Sequence, residues 1–230
     1  MQQNQNLLVP ISIVIAGALI GLGLFFTGRV GTPVSNTPPT KNAQTQKNVP
    51  EVTEADHIRG NINAPIIVVE YIDLECPFCK QFHETMKQVV DSYDGKVAWV
   101  MRNFPLQQLH PNAPKMSLGA ECVASIAGND AYWNFIDSIF KQAPINTLFD
   151  IDALTSTAVG VGADKAKFDA CVNSDTFQKR VETEYNDAIA AGGQGTPYSI
   201  IINTKTGAQI PISGSLPIAT IKAAIDAAMK

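Results

Sequence analysis

Charge is scarce in this chain: 17% of its 230 residues are Asp, Glu, Lys or Arg, and the net charge is −4. It has no Arg-rich run and no interleaving of basic with aromatic residues, which argues against a nucleic-acid partner. No G-x-G-x-x-G, P-loop or phosphate-cradling glycine run precedes a helical pattern, so a nucleotide cofactor has no evident site. Cysteine occurs four times and histidine three times. No second C-x-x-C and no H-x3-5-H appears, so a closed zinc site lacks half of its ligands. No repeat period is visible. The hydrophobic share of 45% is enough for one well-packed domain, with room for an insertion.

What the chain does have is Cys76-Pro77-Phe78-Cys79. Before it, Ile66-Ile67-Val68-Val69-Glu70-Tyr71-Ile72 reads as a buried strand, β-branched and nearly uncharged. After it, Phe82, Met86, Val89, Val90 and Tyr93 recur at helical spacing. This places Cys76 at a helix N-cap and Pro77 at the first helical position, where its missing N–H costs nothing. Cys79 then lies one turn in, on the same face, within reach of a disulfide. First-turn N–H groups and the helix dipole favour a thiolate at Cys76, so its pKa should be low. That is the setting of an exchangeable dithiol. Two alternatives remain at this point: a metal site that adds His83 to the two cysteines, and an inert structural bridge.

Residues 7–26 form an uncharged apolar run, and about 20 residues at 1.5 Å each span roughly 30 Å, one bilayer crossing. No A-x-A pattern follows Phe26, so an uncleaved anchor over residues 1–29 is favoured over a cleaved signal. Arg29, Lys41 and Lys47 follow the run and none precedes it, which by the positive-inside rule leans against an exported domain. Cysteine usage argues the other way, for an oxidising compartment. Residues 30–53, rich in Thr, Pro, Asn, Gln and Lys, read as a disordered linker. The globular part is expected over 54–230.

Within it, Lys96-Val-Ala-Trp-Val-Met-Arg102 reads as a second strand, parallel to the first in a right-handed βαβ unit. Helical stripes follow at Met116 to Ile126, Tyr132 to Phe140, Ile151 to Ala158, Ala166 to Cys171 and Phe177 to Ile189, forming an insertion over about 110–191. Tyr198-Ser-Ile-Ile-Ile202 and the segment from Ala208 to Ile212 form a hairpin, with Pro211 marking an edge strand. A last helix carries Ile218, Ile221, Ile225 and Met229. The expected class is α/β, a thioredoxin-like fold with an inserted helical subdomain. Cys122 and Cys171 fall on two helices of the insertion. As an even leftover pair they are expected to form a structural bridge, free buried thiols being the alternative.

With these elements placed, the chain resembles the DsbA-like thiol-disulfide oxidoreductases. The resemblance rests on His57-Ile-Arg-Gly-Asn-Ile-Asn-Ala-Pro65, on Val69-Glu-Tyr-Ile-Asp-Leu-Glu-Cys-Pro-Phe-Cys-Lys80, on Arg102-Asn-Phe-Pro-Leu106 with His110-Pro-Asn-Ala113, and on Gly195-Thr-Pro197. It implies a cis-proline pair, Thr196-Pro197, facing the dithiol and able to pair with an extended substrate peptide alongside Pro77 and Phe78. It also implies that Glu70, costly as a charge inside an apolar strand, is a buried acid serving the second thiol; the plain alternative is a solvent-facing position. The best-known oxidases of the family carry His where this chain has Phe78, so a weaker oxidant is expected. Asp73 and Glu75 are expected as exposed loop acids, the three histidines as satisfied surface or helix residues, and Trp99 and Trp133 as core.

The resulting expectation is a membrane-anchored, extracytoplasmic oxidoreductase in which Cys76 attacks and Cys79 resolves. It needs no cofactor or metal. Its partners would be unfolded or reduced exported proteins and a membrane redox protein that recycles the dithiol. A tethered reductase or isomerase, a metal-handling module and a non-enzymatic peptide-binding chaperone are the competing readings.

Overall fold

The computed structural model describes residues 49–143 and 147–230. The expected anchor and most of the expected linker lie outside them. Among the described residues, no helix is long and apolar enough to cross a membrane.

Five strands form one mixed sheet. They are β1 (His57–Arg59), β2 (Ile66–Ile72), β3 (Val97–Asn103), β4 (Tyr198–Asn203) and β5 (Gln209–Ser213), in spatial order β1-β3-β2-β4-β5. β2 and β3 run parallel, joined by helix α1 (Pro77–Asp91); the other pairings are antiparallel. β2 and β3 are buried along their whole length, which is why both read as nearly uninterrupted apolar runs. β5 lies at the sheet edge with Pro211 opposite Ile200, where a missing N–H does least harm. β1 has only three residues, too few to show an alternation, and it adds a strand that the sequence pattern did not reveal.

Strand periodicity divides the core in two. Ile66, Val68 and Ile72 of β2 face α1 and the last helix, α6 (Ile218–Ala228), with Phe82, Met86, Val89, Ile221 and Ile225 packed on them. Ile67, Val69 and Tyr71 face the opposite layer, with Ala188, Ala191 and Val49. Glu70 shares the parity of Val68 and Ile72, so it points beneath the helix that carries the cysteines.

Among the described residues, four α-helices lie between β3 and β4: α2 (Ala113–Gln142), α3 (Leu154–Gly160), α4 (Lys165–Val172) and α5 (Gln178–Ala190). α2 is interrupted at Gly128 (φ 88°, ψ 179°), a conformation open to glycine and strained for other residues. This break separates the two apolar stripes seen in the sequence. Cys122 of α2 and Cys171 of α4 are joined by a disulfide. A buried polar cluster fastens these helices to the sheet. Glu121 accepts hydrogen bonds from His57 Nε2 (2.9 Å) and Asn103 Nδ2 (2.7 Å) and pairs with Arg180 (3.0 Å). Glu184 accepts from the Asn103 N–H (2.7 Å).

The folded unit starts before residue 54. Val49 is buried, and Arg102 donates to the carbonyls of Pro50 and Glu51, so residues 49–53 dock on the domain and are not linker. The guanidinium of a strand residue captures backbone that composition alone marks as disordered.

Candidate active site

β2 ends at Ile72, and a short loop leads into α1. Cys76 is the N-cap, in extended conformation (φ −75°, ψ 123°), with Pro77 in the first turn. Its N–H donates to the Asp73 carbonyl (3.1 Å) and its carbonyl accepts from the Lys80 N–H (3.2 Å), so the loop and the first turn are both closed around it. Antiparallel pairing of Tyr71 with Tyr198 sets the start of β4 beside the end of β2. That register brings the cis peptide bond Thr196–Pro197 to the dithiol, where Cys76 Sγ donates to the Thr196 carbonyl (3.5 Å).

The two thiols are inequivalent. Cys76 is held down at a pKa of about 6, chiefly by a hydrogen bond from the Cys79 thiol. Burial opposes this, and Thr196 and the N–H groups of Phe78 and Cys79 reinforce it. Cys79 moves the other way, pushed well up by burial and by its neighbours Cys76 and Glu70. The structure contains both as free thiols. The expectation of an exposed nucleophile needs correction in degree: Cys76 is only 5% exposed, because the cis-proline loop covers it, while Phe78 is 61% exposed.

Glu70 is fully buried. Trp99 Nε1 donates to its Oε2 (2.9 Å), and its Oε1 has no partner among the described residues. Burial pushes its pKa up to about 8 against the effect of the Trp99 bond, so the carboxyl is mainly protonated at pH 7. A neutral acid beneath a thiol of raised pKa can hand over or take up the proton that the second thiol needs. Trp99 and Trp133 are both buried, with ring centroids 4.7 Å apart.

Asp73 and Glu75 are buried, not exposed as expected. Asp73 accepts from the N–H groups of Glu75 (2.8 Å) and Leu106 (2.7 Å) and from His110 Nδ1 (2.9 Å). Glu75 accepts from the N–H and the side-chain amide of Asn112 (2.9 and 2.8 Å). Together they brace the cysteine loop against residues 104–112. The acid two residues before Glu75 is a turn signal that could have been read; the long-range partners could not. His57 and His83 are likewise buried; His57 Nε2 pairs with Glu121 and His83 Nε2 with Asp137, while His83 Nδ1 has no partner among the described residues. His83 is thereby turned from the metal role considered for it. Among the described residues, no group of His, Cys, Asp and Glu could hold a metal ion.

The strand–C-P-x-C–helix unit, the buried acid beneath it and the cis-proline loop over it define a class. Residues 52–227 match the family described as thioredoxin, and the chain belongs to that family, with a DsbA-like fold. Among solved structures, DsbA2 of Pseudomonas aeruginosa is similar with 29% identity, covering 76% of this chain and 96% of that one at a TM-score of 0.65. Oxidised BdbD of Bacillus subtilis shares the fold at 20% identity, with 79% and 96% covered and a TM-score of 0.68. Among curated proteins, a Na(+)/H(+) antiporter NhaA 1 of Mycolicibacterium gilvum is 31% identical over 154 residues, 66% of this chain and 24% of that protein. The chain thus spans about a quarter of the length of the curated relatives it matches.

Proposed function

We propose that this oxidoreductase works outside the cytoplasm as a dithiol oxidase that introduces disulfides into exported proteins. The observation that carries the reading is the unequal placement of the pair: Cys76 at the helix N-cap against the Thr196 carbonyl, its pKa held down to about 6, and Cys79 fully buried one turn in, its pKa pushed up. A stabilised Cys76 thiolate favours the reduced form, and so makes the Cys76–Cys79 disulfide a better oxidant. In the forward direction a substrate thiolate attacks Cys76 Sγ. The Cys76–Cys79 bond breaks, its electron pair stays on Cys79, and Glu70 supplies the proton that Cys79 takes up. A second substrate thiolate then attacks the substrate sulfur of the mixed disulfide and releases Cys76 as a thiolate, a good leaving group. The substrate backbone lies along Thr196 and Pro197, and Phe78 offers apolar contact.

The second disulfide, Cys122–Cys171, supports an oxidising compartment. The apolar run over residues 7–26 supports a tether beside a membrane partner that reoxidises the dithiol. The name of the similar DsbA2 points the same way. The test is disulfide transfer from the oxidised protein to a reduced, unfolded substrate. Transfer should outpace that from glutathione disulfide at equal concentration, and Cys79→Ala, which has no active-site disulfide to give, should transfer none. Transfer no faster than glutathione disulfide, with reduction of substrate disulfides instead, would assign the protein as a reductase.

A further inference from the structure

The bracing network ends in a feature that the exchange scheme above leaves idle. Asp73 is fully buried, and two of the three hydrogen bonds it accepts come from backbone N–H groups, which can only donate. Asp73 therefore serves as an acceptor, and the imidazole proton of His110 is assigned to Nδ1, which faces it at 2.9 Å. In the neutral ring the lone pair then lies on Nε2. Nε2 has no hydrogen-bond partner among the described residues. His110 and Cys76 line one cavity of about 150 Å³ beside the dithiol, together with Pro77, Lys80 and Phe140. Of the charged groups on this cavity, the Lys80 ammonium donates to the Ala143 carbonyl, and each Glu75 oxygen accepts one hydrogen bond from Asn112. His110 is the imidazole on this wall, and its Nε2 is the ring nitrogen left to accept a proton.

The oxidase direction creates a need for one. A cysteine thiol of ordinary pKa, about 8.5, is only about 3% ionised at pH 7, and only the thiolate attacks a disulfide. We propose that His110 is the general base for the incoming substrate thiol, with Asp73 holding the ring and steadying the imidazolium. Nε2 takes the thiol proton as the substrate sulfur bonds to Cys76 Sγ. The Cys76–Cys79 disulfide is the oxidant: its bond breaks, the electron pair leaves with Cys79, and one S–S bond replaces another. The arrangement of carboxylate, imidazole and sulfur is that of an activated-nucleophile triad, with the nucleophile supplied by the substrate. The proposal rests on the oxidase reading. Full activation of the thiol can gain at most about 30-fold, the inverse of its ionised fraction.

The test compares two thiols in single-turnover reduction of the oxidised protein at pH 7. One is a cysteine peptide of ordinary acidity; the other is thionitrobenzoate, already a thiolate at that pH. The variant is His110→Asn, whose amide can still donate to Asp73 in place of Nδ1, and its thermal unfolding is measured alongside. The cysteine peptide should react about 10- to 30-fold more slowly than with the parent, and thionitrobenzoate less than about twofold more slowly. Equal slowing of both thiols, or of neither, overturns the proposal and leaves His110 as a loop brace. The parent protein supplies a second readout that needs no variant. Across thiols of graded acidity its rates should depend less on thiol pKa than those of glutathione disulfide, and an equal dependence also overturns the proposal. If the oxidised parent reacts with neither thiol, the oxidase reading itself fails, a result distinct from both.

Discussion

Replacing Glu70 with glutamine should stabilise the protein while impairing it. The wild-type carboxyl has its pKa raised from 4.5 to about 8 by burial. In the unfolded chain the same group ionises near 4.5. Between those values the unfolded state has released a proton that the folded state still holds, so stability falls as pH rises from about 4.5 through 8. At pH 7 the accumulated cost is about 3 kcal/mol, and below pH 4.5 it vanishes. Glutamine cannot ionise and its carbonyl can still accept from Trp99 Nε1. Any packing cost of the amide is independent of pH, so the informative quantity is the change in the stability difference between pH 4 and pH 7. Urea unfolding of the oxidised forms, in which neither active-site thiol titrates, measures it. Glu70→Gln should gain about 3 kcal/mol relative to wild type on going from pH 4 to pH 7. Transfer should slow by about 100-fold or more, because the positioned proton source for Cys79 is gone. A stability difference that stays constant between the two pH values would refute the assignment of Glu70 as a buried neutral acid.

Absorbance titration of the reduced protein near 240 nm should show one thiolate forming with a midpoint of about 6, absent in Cys76→Ala. Because the folded pKa lies below that of the unfolded thiol, the associated stability of the reduced form is complete above about pH 9, is about 1.4 kcal/mol at pH 7, and is lost as pH falls through 6. Phe78→His should lower the midpoint further by placing a cationic imidazole near Cys76, which the same titration would detect. Alkylation of the reduced protein at mildly acidic pH should label Cys76 before Cys79; mass spectrometry of the peptides would expose the reverse order. Removing Cys122 and Cys171 together should cost roughly 4 kcal/mol for a loop of 49 residues, with exchange activity per folded molecule retained, as denaturation and single-turnover assays can show.

The parts of the fold legible in the sequence are those that local pattern fixes. The uncharged run of β2 and the proline after Cys76 place a helix N-terminus under a cysteine without any knowledge of the rest of the chain. The two stripes of α2 announce its break at Gly128, and Pro211 announces an edge. The parts that stayed hidden depend on partners distant in sequence. β1 is a strand only because residues 99–101 pair with it. Asp73 and Glu75 look like solvent-facing loop acids until Leu106, His110 and Asn112 fold over them, more than 30 residues away. Residues 49–53 look like linker because the arginine that holds them lies about 50 residues later. The fully buried Glu70 could be suspected from its apolar neighbours, but its single hydrogen bond to Trp99 could not.

The reduction potential of the Cys76–Cys79 pair, taken by equilibration with glutathione, bears most directly on the oxidase assignment. Thioredoxin, with a nucleophile pKa of about 7, lies near −270 mV, and DsbA, with about 3.5, near −120 mV. Interpolated to the Cys76 pKa of about 6, the potential of this protein should lie near −230 mV. A value at or below about −270 mV would contradict the account, because the stabilised Cys76 thiolate would then be failing to make the disulfide any more oxidising than that of thioredoxin.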